Sequence, residues 1–391
     1  MKSQSQGRLA VLIVLCVALF VVIVGVVVQQ VLPEIIQHAY ESQKPAKSKQ
    51  PQMRKPRPPS DIVPTPAIQQ QHKEFSDFRT QVTDLLKQNK FAELDQLAGE
   101  LRKSKARFTA GGGWKIFRLY FVLDSPLDIP DGEEPTETDW QTYLKKVEGW
   151  AKQSPNSITA QVLYADALTG YAWFGRGIET APHVSDAQWK MFYERLDLAE
   201  QVLLKAKALP TKCPMWYYTM QTVALGQGWD SARYDQLFTE ATAFEPKFYG
   251  YYTAKAYYLL PRWYGEEGDW EAFAEETRLK VGGKEGASLY YRIAVNQSKY
   301  YKNEDFFNET NISWLLMRDG YLATEELYGR NIDALHTIAK FAFWAHDRES
   351  LKALLEKIGN DVEPECWPSQ QAFNEFKDWG MGKTEKMPVV K

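Results

Sequence analysis

Twenty consecutive residues without a charge or a strongly polar group, Leu9 to Val28 (LAVLIVLCVALFVVIVGVVV), constrain this chain more than any other feature. At about 1.5 Å per residue, a helix of that length covers about 30 Å, the hydrocarbon thickness of a bilayer. A cleaved signal peptide has a shorter apolar region and a small-residue cleavage pattern. The residues that follow here, Gln29, Gln30, Val31, Leu32, Pro33 and Glu34, offer no such pattern. A surface helix would keep one polar face, and this run has none. The reading is a retained transmembrane signal-anchor helix over residues 9–30, preceded by a cytoplasmic tail of residues 1–8.

Orientation follows from the flanking cations. Lys2 and Arg8 sit directly before the span, whereas Lys44, Lys47, Lys49, Arg54, Lys55 and Arg57 begin sixteen residues after it. The nearer charges favour an inner (cell) membrane protein of single-pass type, N-terminus cytoplasmic, with the rest periplasmic or otherwise extracytoplasmic. Residues 31–67 read as a Pro/Lys-rich linker. Pro45, Pro51, Pro56, Pro58, Pro59, Pro64 and Pro66 disfavour helix and favour an extended polyproline-like chain.

Charge divides the chain. Residues 1–60 hold eight Lys/Arg and two acids, a net of +6 in a chain of net −3, which leaves −9 for the remainder. An acidic body without a basic stripe is a poor match for phosphate backbones, so no nucleic acid is expected as partner. The basic linker suits anionic headgroups instead. Cys16 falls within the span, and Cys213 and Cys366 are the one pair available to the body, paired or not.

From residue 68 to 391 the pattern is helical, ending in a disordered tail of about 12 residues. Phe75, Phe78, Val82, Leu85 and Leu86 form one apolar stripe, Gln88-Asn89-Lys90 turns the chain, and Phe91, Leu94, Leu97, Ala98 and Leu101 form the returning stripe. Later hairpins open near Pro155, Pro214 and Pro246, the last two spaced 32 residues apart, close to the tetratricopeptide period. In the first of these two units Gly226 and Gly228 are expected to break the helix. In the second, Gly265 and Gly268 do so. Ile332 to Ala345 and Leu351 to Ile358 form a further pair around His346-Asp347-Arg348. The expected fold is all-α, a TPR-like array of helical hairpins (an α-solenoid) behind a transmembrane helix.

Three stretches carry a likeness to a bacterial family, domain of unknown function 4034: Phe91 to Lys115 (FAELDQLAGELRKSKARF, then GGWK), Ser154 to Gly177 (SPNSITAQVLYADALTGYAWFGRG) and Tyr258 to Ala274 (YLLPRWYGEEGDWEAFA). The likeness runs from about Phe75 to Gly359. It implies a TPR-like fold and supplies no activity, so no functional residues are carried over.

Several chemistries are missing from the sequence. His38, His72, His183, His336 and His346 show no H-E-x-x-H and no ligand spacing, so no metal and no cofactor is expected. Neither a hydrolase elbow nor a phosphate loop occurs. Gly111-Gly112-Gly113 before Trp114 reads as a hinge or tight helix entry. Two loops draw notice. Glu266 and Glu267, with Asp269 as an expected helix cap, are flanked by Arg262, Trp263 and Tyr264; carboxylates beside aromatics suit glycan hydrolysis, and equally a plain turn. Trp173 and Arg176 could grip a partner, or Arg176 could pair with an acid. The preferred reading is a membrane-anchored scaffold binding a protein or peptide, with no catalytic residue; the alternative is a cell-envelope enzyme using the Glu266–Asp269 carboxylates.

Overall fold

In a computed structural model of the protein, residues 60–130 and 133–390 are described. The expected anchor and most of the linker lie outside them. Among the described residues the secondary structure is helical, with one isolated bridge between Arg107 and Trp114 and no strand. No helix among them is long and apolar enough to cross a membrane.

Helix α1 (Pro66–Lys87) begins inside the stretch expected to be linker. Pro66 does not block it, because a first-turn residue needs no N–H partner. The Thr65 hydroxyl caps this end by accepting from the Ile68 N–H. Asn89 supplies the left-handed turn into α2 (Phe91–Ser104), and Phe91 stacks on Trp150 at 5.1 Å. Helices α3 (Lys115–Val122), α4 (Glu137–Gln153), α5 (Ile158–Arg176) and α6 (Asp186–Lys207) follow. Reciprocal capping boxes, Thr136 with Asp139 and Ser185 with Gln188, start α4 and α6.

The two units spaced by 32 residues are α7 (Pro214–Gln227) with α8 (Ser231–Phe244), and α9 (Tyr249–Tyr258) with α10 (Asp269–Val281). Of the three prolines expected near helix starts, Pro214 occupies the first turn, while Pro155 and Pro246 lie in the turns before α5 and α9. Gly226 does not break α7; it lies inside, where a Cβ would run into Leu196 and Phe192. Gly228 ends the helix. Then come α11 (Gly283–Ser298), the short α12 (Phe306–Glu309), α13 (Trp314–Tyr328), α14 (Ile332–Trp344), α15 (Arg348–Ile358) and α16 (Gln370–Gly380).

Helices α5, α7, α9, α11 and α13 pack each against the next, which makes an inner row, and their hairpin partners pack outside it. This all-helical stacking is consistent with an α-solenoid. Rings fill the joints: Tyr234 stacks on Tyr258 at 3.9 Å, and Phe238 meets Phe273 edge-on at 5.5 Å. The ends of this unit meet. Thr65 donates to Asp361 at 2.6 Å, and the Gln370 N–H donates to Asp61 at 2.7 Å. Past α16 the expected tail returns to the body, Lys383 pairing with Asp378 while Val390 packs against the core. Cys213 and Cys366 are both free thiols.

Candidate functional site

The inner row presents one wall of a cavity of about 880 Å³, and α1, α3 and the loop between α2 and α3 present the other. Helical spacing sets the lining. Tyr218, Gln221, Thr222 and Leu225 lie three and four apart on α7, and Tyr291, Val295 and Lys299 do the same along α11 and its C-terminal end. Two further hollows, of about 300 and 320 Å³, open beside it, and Tyr218 borders all three. The three hollows adjoin along one face of the inner row and make a branched groove with Tyr218 at the junction.

The loop that covers the groove is tied down. Arg107 lies between the rings of Trp114 (4.2 Å) and Tyr328 (4.5 Å), and Arg292 donates to the Gly111 carbonyl at 2.6 Å. Gly112 has φ +66, and a Cβ there would penetrate Tyr328. The glycine run is thus a tight entry to α3, as its sequence context indicates, set against the end of α13.

Both walls carry cations. Arg118 lies on the rings of Phe75 (4.3 Å) and Phe121 (5.2 Å), Arg292 on Tyr249 (4.7 Å), and Lys299 beside Tyr300 (5.1 Å). Among the described residues no carboxylate pairs with these three. Lys299 is open to the cavity yet walled by protein, and this desolvation lowers its pKa; burial lowers that of Arg118 as well, with Tyr249 opposing. Uncompensated cations on aromatic faces suit an anionic or carbonyl-rich ligand.

The 300 Å³ hollow has the opposite character. Phe117, Phe121, Trp140, Trp173 and Tyr218 wall it, and Asp124 and Asp166 face it. Burial, then the charge of Asp124, pushes the Asp166 carboxyl up to about 8, against a hydrogen bond from the Thr219 hydroxyl at 3.1 Å. Burial raises Asp124 to about 6, with hydrogen bonds from Ser125 and its own backbone opposing. At neutral pH Asp166 is therefore a proton donor and Asp124 largely a carboxylate. Trp140, in the same wall, has a buried indole N–H without a partner among the described residues.

The residues singled out in the sequence are divided by the fold. Trp173 borders two of the hollows and meets Trp263 edge-on at 5.7 Å, so these two candidates are brought together. Arg262 lies 5.2 Å from the Tyr300 ring, at the margin of the same branch. Tyr264 packs on Tyr258 and donates to the Leu225 carbonyl, a joint between hairpins. Arg176 donates to the carbonyls of Gly177 and Glu179 and lies near Trp173 and Trp189, holding the end of α5. Glu266 and Glu267 are away from the groove lining. Asp269 is not the cap residue. Gly268 is, and Asp269 opens α10 while its carboxylate accepts from the Glu266 N–H at 2.8 Å. Asp269 thus ties this loop to the start of α10.

Fold and site together define an all-helical repeat-like unit enclosing an aromatic groove of mixed charge. Comparison with known protein families, with curated proteins and with solved structures finds no match.

Proposed function

We propose that this unit is a binding module that takes an extended peptide segment of a partner protein in its branched groove. The observation that carries the reading is that Tyr218 borders both a cavity with cations on aromatic rings and an acidic, ring-walled hollow. A peptide offers what such a lining needs: backbone carbonyls or carboxylates for Arg118 and Lys299, an ammonium or guanidinium for the Asp124 carboxylate, and a carbonyl to accept from the protonated Asp166. Stacked helical repeats bind along such concave faces. The likeness to the domain of unknown function 4034 family belongs to this proposal, as does anchorage by residues 9–30 with the unit outside the inner membrane. Protection of the unit from protease added to spheroplasts would contradict that topology.

Selection of a peptide library against the unit tests the binding reading. Recovered peptides are expected to share a basic residue, and to lose affinity for Asp124→Asn and Arg118→Gln. Selection of no consensus, or of peptides indifferent to both changes, would overturn it.

One observation favours a second reading, an envelope hydrolase acting on glycans. Its acid and base would be Asp166 and Asp124, not the Glu266–Asp269 loop, because a carboxyl held neutral beside an ionised one is the pairing such hydrolysis uses. Release of reducing ends from cell-wall or other oligosaccharides, abolished in Asp166→Asn, would support it over the peptide reading.

A further inference from the structure

Three groups from distant parts of the sequence converge at one end of the cavity. The imidazole of His72 on α1, the carboxylate of Asp333 on α14 and that of Glu363 in the segment before α16 place their coordinating atoms within 4.8 Å of one another. His72 Nε2 lies 3.0 Å from Glu363 Oε2, and Glu363 is fully buried. We propose that these three side chains hold a divalent first-row transition-metal ion, of the zinc or manganese kind.

The donor set fits such an ion. One nitrogen and two carboxylate oxygens, with no sulfur, match borderline cations and not soft ones. Metal–ligand bonds of about 2.0–2.2 Å put neighbouring donors about 3–4 Å apart, close to the spacing present here. The charge balance points the same way. Two carboxylates face one imidazole, and the nearby cations are engaged elsewhere, Arg330 with Asp361 at 3.2 Å and Lys340 with the Cys366 carbonyl at 2.6 Å. A bound dication supplies the charge that the buried Glu363 carboxylate requires with a second carboxylate beside it.

The ligands are also held from behind. The Glu365 N–H donates to Glu363 Oε1 at 3.2 Å, and Gln71 Nε2 donates to Asp333 Oδ2 at 3.4 Å. Such outer contacts orient carboxylate ligands. His72 and Asp333 both border the 880 Å³ cavity, so positions not taken by the protein face it. An open position beside a ligand cavity is the arrangement in which a metal polarises a bound carbonyl or water, as opposed to a closed structural site. The ion would also fasten α1 to α14 across the closure of the unit.

The test uses the full chain, carrying no histidine tag and treated with chelator, titrated by calorimetry with ZnCl₂, MnCl₂ and MgCl₂. Expected is one saturable equivalent of zinc or manganese, a weaker response to magnesium, and a metal-dependent rise in melting temperature. Asp333→Asn and His72→Ala, at positions not fully buried, are expected to weaken binding by about 10- to 100-fold each while keeping the helical circular-dichroism spectrum of the parent. Absence of saturable binding by zinc and manganese would overturn the proposal. Binding that both variants leave unchanged would do the same, since the ion would then sit elsewhere. If both variants lost helicity, Asp333→Glu, which keeps the charge but displaces the ligand oxygen by one methylene, decides: weakened binding with intact helicity supports the site, and unchanged affinity refutes it.

Discussion

Asp124 and Asp166 face the same ring-walled hollow, and the charge of Asp124 helps keep the Asp166 carboxyl protonated up to about pH 8. This has a definite sign for stability. Below the ordinary value of 3.8, Asp166 is protonated in the folded and unfolded chain alike. Between there and about 8 the unfolded chain releases its proton while the folded one keeps it, so rising pH favours unfolding; above about 8 the loss is complete. Asp166→Asn keeps the shape and can still accept from Thr219. It is expected to match the parent near pH 4 and to exceed it at pH 9, by on the order of a few kcal/mol. Denaturant unfolding across that range measures the gap, and parallel curves for the two proteins would contradict the burial of this acid.

The closure between the two ends of the unit is a second point of test. Asp361 accepts from Thr65 at 2.6 Å and pairs with Arg330 at 3.2 Å. Asp361→Ala is expected to cost about 1–3 kcal/mol, because charged hydrogen bonds at a partly buried junction are lost together. Hydrogen exchange should quicken first in α1. Uniform quickening over the inner row instead would show that the closure is not a local fastening.

Gly112 tests the strap over the groove. A left-handed φ and the Tyr328 ring both exclude a side chain there. Gly112→Ala is expected to destabilise by about 1–3 kcal/mol and to free the loop from residue 107 to 114, visible as limited proteolysis within it. An alanine variant as stable and as resistant as the parent would mean the loop moves aside without cost.

Cys366 should be a sluggish thiol. Burial pushes it up to about 12, with Lys340 opposing. In the native protein at pH 8 iodoacetamide is expected to leave it largely unmodified, and denaturant to expose it. A non-reducing peptide map should lack a Cys213–Cys366 crosslink; finding one would contradict two free thiols.

Much of the helical scheme is legible in the amino-acid sequence, and for a plain reason. The stripes from Phe75 to Leu101 and the unit from Trp216 to Ala241 are long, amphipathic and bounded by turn residues, so periodicity marks them. Helix bounds at proline and glycine are less legible, since Pro246 works as a turn former and Gly226 as a packing contact, roles that composition does not separate. The groove chemistry is largely hidden. Asp166 does leave a signal: it is the sole charged residue between Ile158 and Phe174, within a helix buried on nearly every side. An acid in such a place must be paired, neutral or functional. Asp124 leaves no comparable mark. His72 meets Glu363 across 291 residues, and no local spacing rule reaches that far. Trp173 and Trp263 each stand out in sequence through a different loop, and the contact between them follows only from the stacking of α5, α7 and α9.

Crosslinking from within the groove decides most directly whether a partner sits there. A photoreactive phenylalanine analogue at Tyr257, within the groove, and at Leu279, exposed on the outer helix α10, would be irradiated in cells producing the full chain. The expected result is one reproducible crosslinked partner from position 257, absent from position 279 and reduced when Asp124→Asn is added. Equal labelling from both positions, or none from 257, would contradict the groove as the binding site.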